Sequence, residues 1–268
     1  MLIGAAAGVA IAFATRSPEP QTPSGTSTTT PQALFNDAVN ATRTAAGFHY
    51  VSHSTGSEPQ TFVGDAGPSG GRQVITFDST YGTEQFTLLL VSGIVYFQGN
   101  TPALEDQLGV AASSAPALQS KWVSVSQGDG PYSVLEPGIT VSDQASELLL
   151  DPAAASRVTT QNGVDAYRIT GSVPAQQGGV TGTAHLDITS ATHQPLTYVT
   201  AELVGGVSLT STTTFSGWGT APTVTAPSGT VAWSTLGATE PPGGYGQGGT
   251  GGGTGGGTAT PSPTGSTI

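Results

Sequence analysis

Residues 84–110 read EQFTLLLVSGIVYFQGNTPALEDQLGV, and this stretch decides the fold. Two apolar runs meet at Ser92 and Gly93, a pair of residues that suits a two-residue hairpin turn. The runs are apolar on both faces, so both sides of the sheet should be covered there. A helix is predicted over 101–109 because Pro102 suits a first helical turn and a glycine follows the last apolar position. The stretch therefore predicts an antiparallel hairpin that runs directly into a helix.

The rest of the sequence extends this plan in both directions. A helix is predicted over 32–46, and from Phe48 onwards the apolar residues alternate as they do in strands. Two further short helices are predicted, over 111–121 and 142–150, before strands resume. The expected fold class is α+β, a large curved antiparallel sheet, or half-barrel, with short helices packed on its concave face.

The two ends of the chain carry too little apolar surface to pack. We expect 17–31 to be a disordered Pro/Thr-rich stalk and 237–268 a disordered Gly/Thr-rich tail, which leaves 32–236 as one domain. Residues 1–16 contain an apolar run too short to span a bilayer, which predicts a truncated signal peptide or membrane anchor. Either one would place the domain outside the cytoplasmic membrane, secreted or held by an N-terminal helix.

Charge and cysteine content exclude several classes of function. The chain has 6 basic and 17 acidic residues, a formal net charge of -11, and the basic residues are scattered. Nucleic acid is therefore not an expected partner, because binding phosphates requires a basic surface. Cysteine is absent, which excludes disulfides, thiol nucleophiles and lipid attachment at an N-terminal cysteine.

The histidines predict no metal site. His49 and His53 share a strand face but lie roughly 13 Å apart at ~3.3 Å per residue, too far for one ion. His185 and Asp187 also share a face, with His193 in the next turn, and we interpret them as solvated residues on an outward face. No metal and no cofactor is expected.

Catalytic signatures are missing from the sequence. The chain contains no G-x-S-x-G elbow, no phosphate-binding loop and no dinucleotide fingerprint. The protein is therefore predicted not to be an enzyme.

Apolar side chains in the middle of the sequence are more numerous than a thin sheet-and-helix layer requires. They either fill an ordinary core or line a cavity between the sheet and the helices, and the pattern alone leaves both possibilities open. A cavity could bind an acyl chain without polar contacts, at ~0.8 kcal/mol per buried methylene. The residues predicted to line it are Phe86, Leu88, Leu90, Tyr96, Leu104, Leu108 and Leu148.

The order of the motifs resembles a known family. VYFQGNTPALEDQLGV at 95–110 is followed by KWVSVSQGDGPYSVLEPGITVSDQASELL at 121–149. HLDITSATHQPLTYVTAEL at 185–203 and TTTFSGWGTAPTVTAPSG at 212–229 come later. Together they resemble the actinobacterial LppX/LprG-type lipoproteins, which have the LolA-like lipid-binding fold, and the resemblance covers 34–227.

The resemblance implies a half-barrel of about ten antiparallel strands around helices, with an apolar cavity for acyl chains. It also implies that the domain holds or carries a lipid or acylated glycolipid at the cytoplasmic membrane or cell wall, as a single chain. The lipobox cysteine of the family is absent here. The alternative is an envelope structural or signalling module of the same fold, with a filled core, that binds protein or cell wall.

Overall fold

The computed structural model of the protein describes residues 29–56, 59–79, 82–160, 163–174, 181–204 and 207–238. They form an α+β fold built on one large sheet, which confirms the predicted fold class. The strands are β1 Phe48–Thr55, β2 Gln60–Ala66, β3 Gly71–Ser79, β4 Gly82–Val91, β5 Ile94–Gly99, β6 Val123–Val125, β7 Asp151–Thr159, β8 Asp165–Ser172, β9 Thr181–Thr189, β10 Pro195–Val204, β11 Val207–Ser216 and β12 Val231–Ala232. The helices are α1 Pro31–Arg43, α2 Thr101–Leu108, α3 Tyr132–Leu135 and α4 Val141–Ser146.

The twelve strands lie in the order β12-β6-β5-β4-β3-β2-β1-β11-β10-β9-β8-β7. All neighbours are antiparallel except β12 and β6, which run parallel. Chain neighbours are therefore mostly sheet neighbours, and the last long strand, β11, returns to pair with β1 at the centre.

All the packed helices lie on one face of the sheet, which we call the inner face. It carries Phe48 and Tyr50 on β1, Phe62 on β2, Ile75 on β3 and Phe86 on β4, each at most 6% exposed. These residues form one apolar cluster with Leu34 of α1, Leu104 of α2 and Val141 of α4. The strand alternation predicts this arrangement, because successive side chains point to opposite faces.

The β4–β5 hairpin and α2 form as the sequence predicts. Ser92 and Gly93 have φ values of 52° and 76°, the left-handed conformations that a type I′ turn needs. Asn100 caps α2, accepting a hydrogen bond from the Ala103 N–H at 3.2 Å, and donates to the Thr83 carbonyl at 2.8 Å. The cap thus fixes the start of the helix to β4.

Four predicted boundaries or elements need correction. α1 begins at Pro31 with Thr30 as its N-cap, so the last residues assigned to the stalk belong to the domain. The helix predicted over 111–121 is a three-residue 3-10 turn, Ala115–Ala117. α4 ends at Ser146, and Asp151–Thr159 is a strand, with a bulge between Pro152 and Ala154 that lets proline sit in it. Residues 1–28 and 239–268, with the predicted leader, stalk and tail, lie outside the described residues.

A strap, residues 217–230, connects β11 to β12 along one end of the sheet. It passes close to the start of β1, where Gly219 N–H donates to the Gly47 carbonyl at 2.9 Å. Beyond it, β12 pairs with β6 and forms the edge of the sheet, and the Trp233 indole N–H donates to the Leu108 carbonyl at 2.9 Å. Trp233 therefore fastens the segment after the strap to α2.

Candidate functional site

A cavity of about 60 Å³ lies on the inner face between the central strands and α4. Its floor comes from β1, β2, β3, β10 and β11, and one wall comes from α4 and the residues just after it. Its lining residues are Tyr50, Ser52, Ser54, Phe62, Gln73, Gln144, Glu147, Leu148, Tyr198, Thr200, Ser211, Thr213 and Phe215. Hydroxyl side chains therefore line much of it, unlike the apolar core beside it.

The wall over this cavity is the lid segment, residues 137–150, which includes α4. One end is fixed by Tyr50, which donates to the Gly138 carbonyl at 3.1 Å and accepts from Gln73 at 2.7 Å. Gln144, within α4, donates to the same carbonyl at 2.8 Å. The Tyr50 ring packs against Gly64 of β2, where any side chain would collide with it.

A second tyrosine fixes the other end of the lid segment. The Tyr198 hydroxyl donates to the Leu149 carbonyl at 2.6 Å and accepts from the Leu149 N–H at 3.2 Å. Burial raises the pKa of both tyrosines, so both hydroxyls stay protonated and can donate. Two phenols from separate strands thus hold the lid segment on the sheet.

Local sequence explains why α4 forms between these two anchors. Thr140 and Asp143 make a capping box, in which the Asp143 N–H donates to Thr140 Oγ1 at 3.2 Å and Asp143 accepts from the Thr140 N–H at 3.0 Å. The Val141 N–H donates to the Gly67 carbonyl at 3.0 Å, which joins the helix start to the end of β2.

Glu147 is the one carboxyl among the residues that line the cavity, and the lining contains no basic side chain. Burial, with a smaller contribution from the Asp143 charge, raises its pKa to about 7. Glu202, on β10, is 6% exposed, and its Oε2 has no hydrogen-bond partner in the described part of the chain. Burial raises the pKa of Glu202 as well.

Most of the residues predicted to line a cavity lie in the packed core instead. Phe86, Leu88, Leu90, Leu104 and Leu108 are each at most 3% exposed and belong to the apolar cluster around α2. Leu148, from the lid segment, lines the cavity. The cavity is therefore lined mainly by β1, β10, β11 and the lid segment, and not by the β4–β5 hairpin, where the apolar pattern had placed it.

Tyr96 does not share the inner face with the other predicted residues. It pairs with Leu89 across β4 and β5, while its chain neighbour Phe97 pairs with Leu88 on the inner face. Tyr96 and Leu89 are each 8% exposed, yet neither belongs to the apolar cluster. Tyr96 therefore lies on the outer face, and the pattern does not separate it from its neighbours because the run Val95-Tyr96-Phe97 is apolar on both faces.

None of the four histidines is among the residues that line the cavity. The Nδ1 atom of His49 lies 2.8 Å from Asp65, that of His53 lies 3.0 Å from Thr61, and that of His193 lies 3.1 Å from Asp37. Among the residues described, no three His, Asp or Glu side chains are grouped so that they could bind a metal ion.

The interpretation of His185 and Asp187 as solvated residues on an outward face needs correction for Asp187. Its side chain is 8% exposed and receives two 2.7 Å hydrogen bonds from Arg168. Burial, reinforced by the Arg168 charge, lowers the pKa of His185. Asp187 is thus the buried partner of an ion pair on the outer face whose other partner, Arg168, is partly exposed.

Sequence reasoning missed the position of the cavity because most of its lining residues are of polar types. Ser52, Ser54, Ser211 and Thr213 occupy inward positions of β1 and β11, and their side chains give no apolar signal in the sequence. A signal was present in the alternation FHYVSHS, where the inward apolar residues stop after Tyr50 and serine takes their place. A strand whose inward positions change from aromatic to hydroxyl residues marks a place where the core ends.

Comparisons with known proteins give no family. No family model and no curated protein matches the chain. The structure resembles an uncharacterised conserved protein from Thermus thermophilus, with 13% identity and a TM-score of 0.38 over 75% of this chain and 96% of that one. It also resembles MucB in the MucA/MucB complex of Pseudomonas aeruginosa, with 15% identity and a TM-score of 0.34.

The MucB match covers 72% of this chain but 58% of that one, so this chain spans less than two thirds of its length. A DUF1329 family protein from Desulfovibrio piger matches with 10% identity and a TM-score of 0.30, over 72% and 94% of the two chains. With scores this low, the matches carry no functional conclusion. In the described ranges, no helix has the length and apolar character needed to cross a bilayer.

Proposed function

We propose that this protein is a non-catalytic binding domain of the cell envelope that holds the acyl chain of a lipid or acylated glycolipid between the sheet and the lid segment. The observation that carries the proposal is the cavity itself. It lies where the inner face is covered by a short helix held through tyrosine hydroxyls, and its floor includes Tyr50, Phe62 and Phe215.

The size of the cavity shows how such a site would work. Ligand pockets usually measure about 300–1,000 Å³, whereas this cavity measures about 60 Å³. A chain could enter only if the lid segment moved away from the central strands. The anchors at Gly138 and Leu149 are a few hydrogen bonds, each worth about 1 kcal/mol, which a buried acyl chain at ~0.8 kcal/mol per methylene can replace.

The envelope location rests on the sequence. The apolar run within 1–16 and the motif order that resembles LppX/LprG-type lipoproteins both support an extracytoplasmic domain that is secreted or anchored by an N-terminal helix. The membrane or cell wall is then the natural source or acceptor of the ligand.

A second candidate is favoured by the same small volume. With its core filled, the domain would be an envelope structural or signalling module that binds protein or cell wall through its surface. In that case the lid segment would be a permanent part of the core.

Lipid extraction decides between the two candidates. The purified domain is extracted with organic solvent and the extract is analysed by mass spectrometry, and uptake of a fluorescent fatty-acid ester is then titrated. The lipid-binding proposal expects bound acyl lipid or saturable uptake. Leu148→Asp should weaken that uptake, because it places a charge in the cavity wall. If the extract contains no bound lipid and the protein takes up no fluorescent ester, the lipid-binding proposal fails and the structural or signalling module remains.

A further inference from the structure

Glu147 gives the cavity an electrostatic character that the acyl-chain proposal does not use. Glu147 is one of the lining residues, and no described residue donates a hydrogen bond or forms an ion pair to its carboxyl. The hydroxyls of Tyr50 and Tyr198 are already engaged with the lid segment. Glu147 is thus the ionisable acceptor left available to a ligand.

The charged group that acts on Glu147, Asp143, has the same sign as the Glu147 carboxylate. Asp143 lies on the same lid segment, and Glu202 on β10, with its orphaned and buried oxygen, acts on Tyr198 together with Glu147. From α1, which packs against α4, Asp37 pairs with His193, and Arg43 lies exposed in the last helical turn. The cavity lining therefore contains one carboxyl and no basic side chain, and further carboxyls lie beyond it.

A ligand can supply the missing cation. Burying a carboxylate costs free energy unless it is paired, and a second carboxylate from a ligand would add repulsion in a poorly solvated space. An ammonium group would instead form a charge-assisted hydrogen bond with Glu147. A hydroxyl group would donate a weaker hydrogen bond and remain neutral.

We propose that Glu147 selects the polar end of the ligand, so that the cavity takes an apolar chain ending in an amine and rejects one ending in a carboxylate. This inference rests on the proposed acyl-chain function, because the chain must enter for its end to reach Glu147. Alcohols and esters bind with intermediate affinity. Free fatty acids are accepted only where Glu147 is protonated.

The test compares three ligands that share one chain: dodecylamine, dodecanol and dodecanoate. Binding to the whole protein is measured by calorimetry below their micelle concentrations at about pH 8.5, well above the Glu147 pKa of about 7. The affinity is expected to fall in the order amine, alcohol, acid, and the amine should bind at least about tenfold more tightly than the acid. Near pH 5.5, roughly, the acid should gain affinity relative to the alcohol because Glu147 is then protonated.

Glu147→Gln keeps the shape and removes the charge. In this variant the preference for the amine should fall below about threefold. Glu105→Gln on α2, outside the cavity lining, should retain the full preference. An unchanged melting temperature in both variants at acidic pH shows that each is folded.

Equal affinity for amine and acid in the natural protein, or a preference that survives in Glu147→Gln, overturns the inference while acyl-chain binding stands. Failure of all three ligands to bind, the neutral alcohol included, overturns both the inference and the proposed function.

Discussion

The inner face of the sheet has two halves that are built differently. The α2 half, β3 to β6 with α2, is packed with apolar side chains, and Phe86 stacks on Phe97 with ring centroids 5.0 Å apart. The lid half, β1, β10 and β11 with the lid segment, is held by tyrosine, glutamine and backbone hydrogen bonds around a cavity. Apolar packing is non-directional and leaves few voids, whereas hydrogen bonds can be exchanged for others at low net cost. We infer that the α2 half is the rigid support and the lid half the part that can rearrange.

The largest effect should come from the α2 half. Phe86→Ala removes a ring that is 2% exposed and contacts both Phe77 and Phe97, so it should destabilise the protein by about 3–5 kcal/mol. Urea unfolding measures the free-energy change. Thr87→Ala, its neighbour on the outer face, should cost less than about 0.5 kcal/mol. If Phe86→Ala lowered the free energy of unfolding by less than the variants in the lid half do, the α2 half would not be the more rigid of the two.

Gly64→Ala tests whether the packing of the Tyr50 ring against Gly64 supports the hydrogen bond from Tyr50 to the Gly138 carbonyl. The added methyl group would collide with the Tyr50 ring and displace its hydroxyl from Gly138, with an expected cost of about 1–3 kcal/mol. The same substitution in a Tyr50→Leu background should cost much less, since the collision is then removed. Additive costs in urea unfolding would show that the ring and the glycine are not coupled.

The pH dependence of stability should report on Glu147. Its pKa is about 7 in the folded protein and lower in the unfolded chain, so between these values the folded protein binds more protons. Stability should therefore be greatest below the unfolded pKa and fall as pH rises towards about 7. Melting temperatures of the natural protein and Glu147→Gln across this range provide the measurement. An identical slope in both proteins would assign the pH dependence to other groups.

Tyr198→Phe should have the smallest effect. It removes the hydroxyl that bonds both backbone groups of Leu149 and should cost about 1 kcal/mol. If the lid half is the mobile part, hydrogen exchange should rise within residues 137–150 and remain unchanged in α2. Tyr132→Phe on α3, outside the cavity lining, is the matched control. An equal increase in hydrogen exchange in both halves would contradict the division into a rigid α2 half and a mobile lid half.

The sequence predicts the α2 half well because its signals are local. The Ser92-Gly93 turn, Pro102 in the first turn of α2 and Gly109 after its last turn each act within a few residues, and the structure has all three. The hairpin run is apolar on both faces, which explains why Tyr96 lies on the outer face although the pattern groups it with inner-face residues.

The lid half depends on contacts between distant residues. Tyr50 meets Gly138 across 88 positions, and Tyr198 meets Leu149 across 49, so no local pattern indicates either anchor. Of the predicted cavity residues, Leu148 reaches the cavity because it follows α4 directly. The serines of β1 and β11 look like solvent-facing residues in sequence, although they face inward.

The two edges of the sheet have a consequence for solubility. An open sheet presents unpaired backbone groups at its outer strands, and these invite other chains to add to it. On one side the sheet ends in β12, which has two residues, and on the other in β7, where Pro152 lacks a donor and a bulge distorts the strand. A short edge and a distorted edge both discourage strand addition. Variants that repair the β7 bulge would therefore be expected to aggregate while the interior stayed intact.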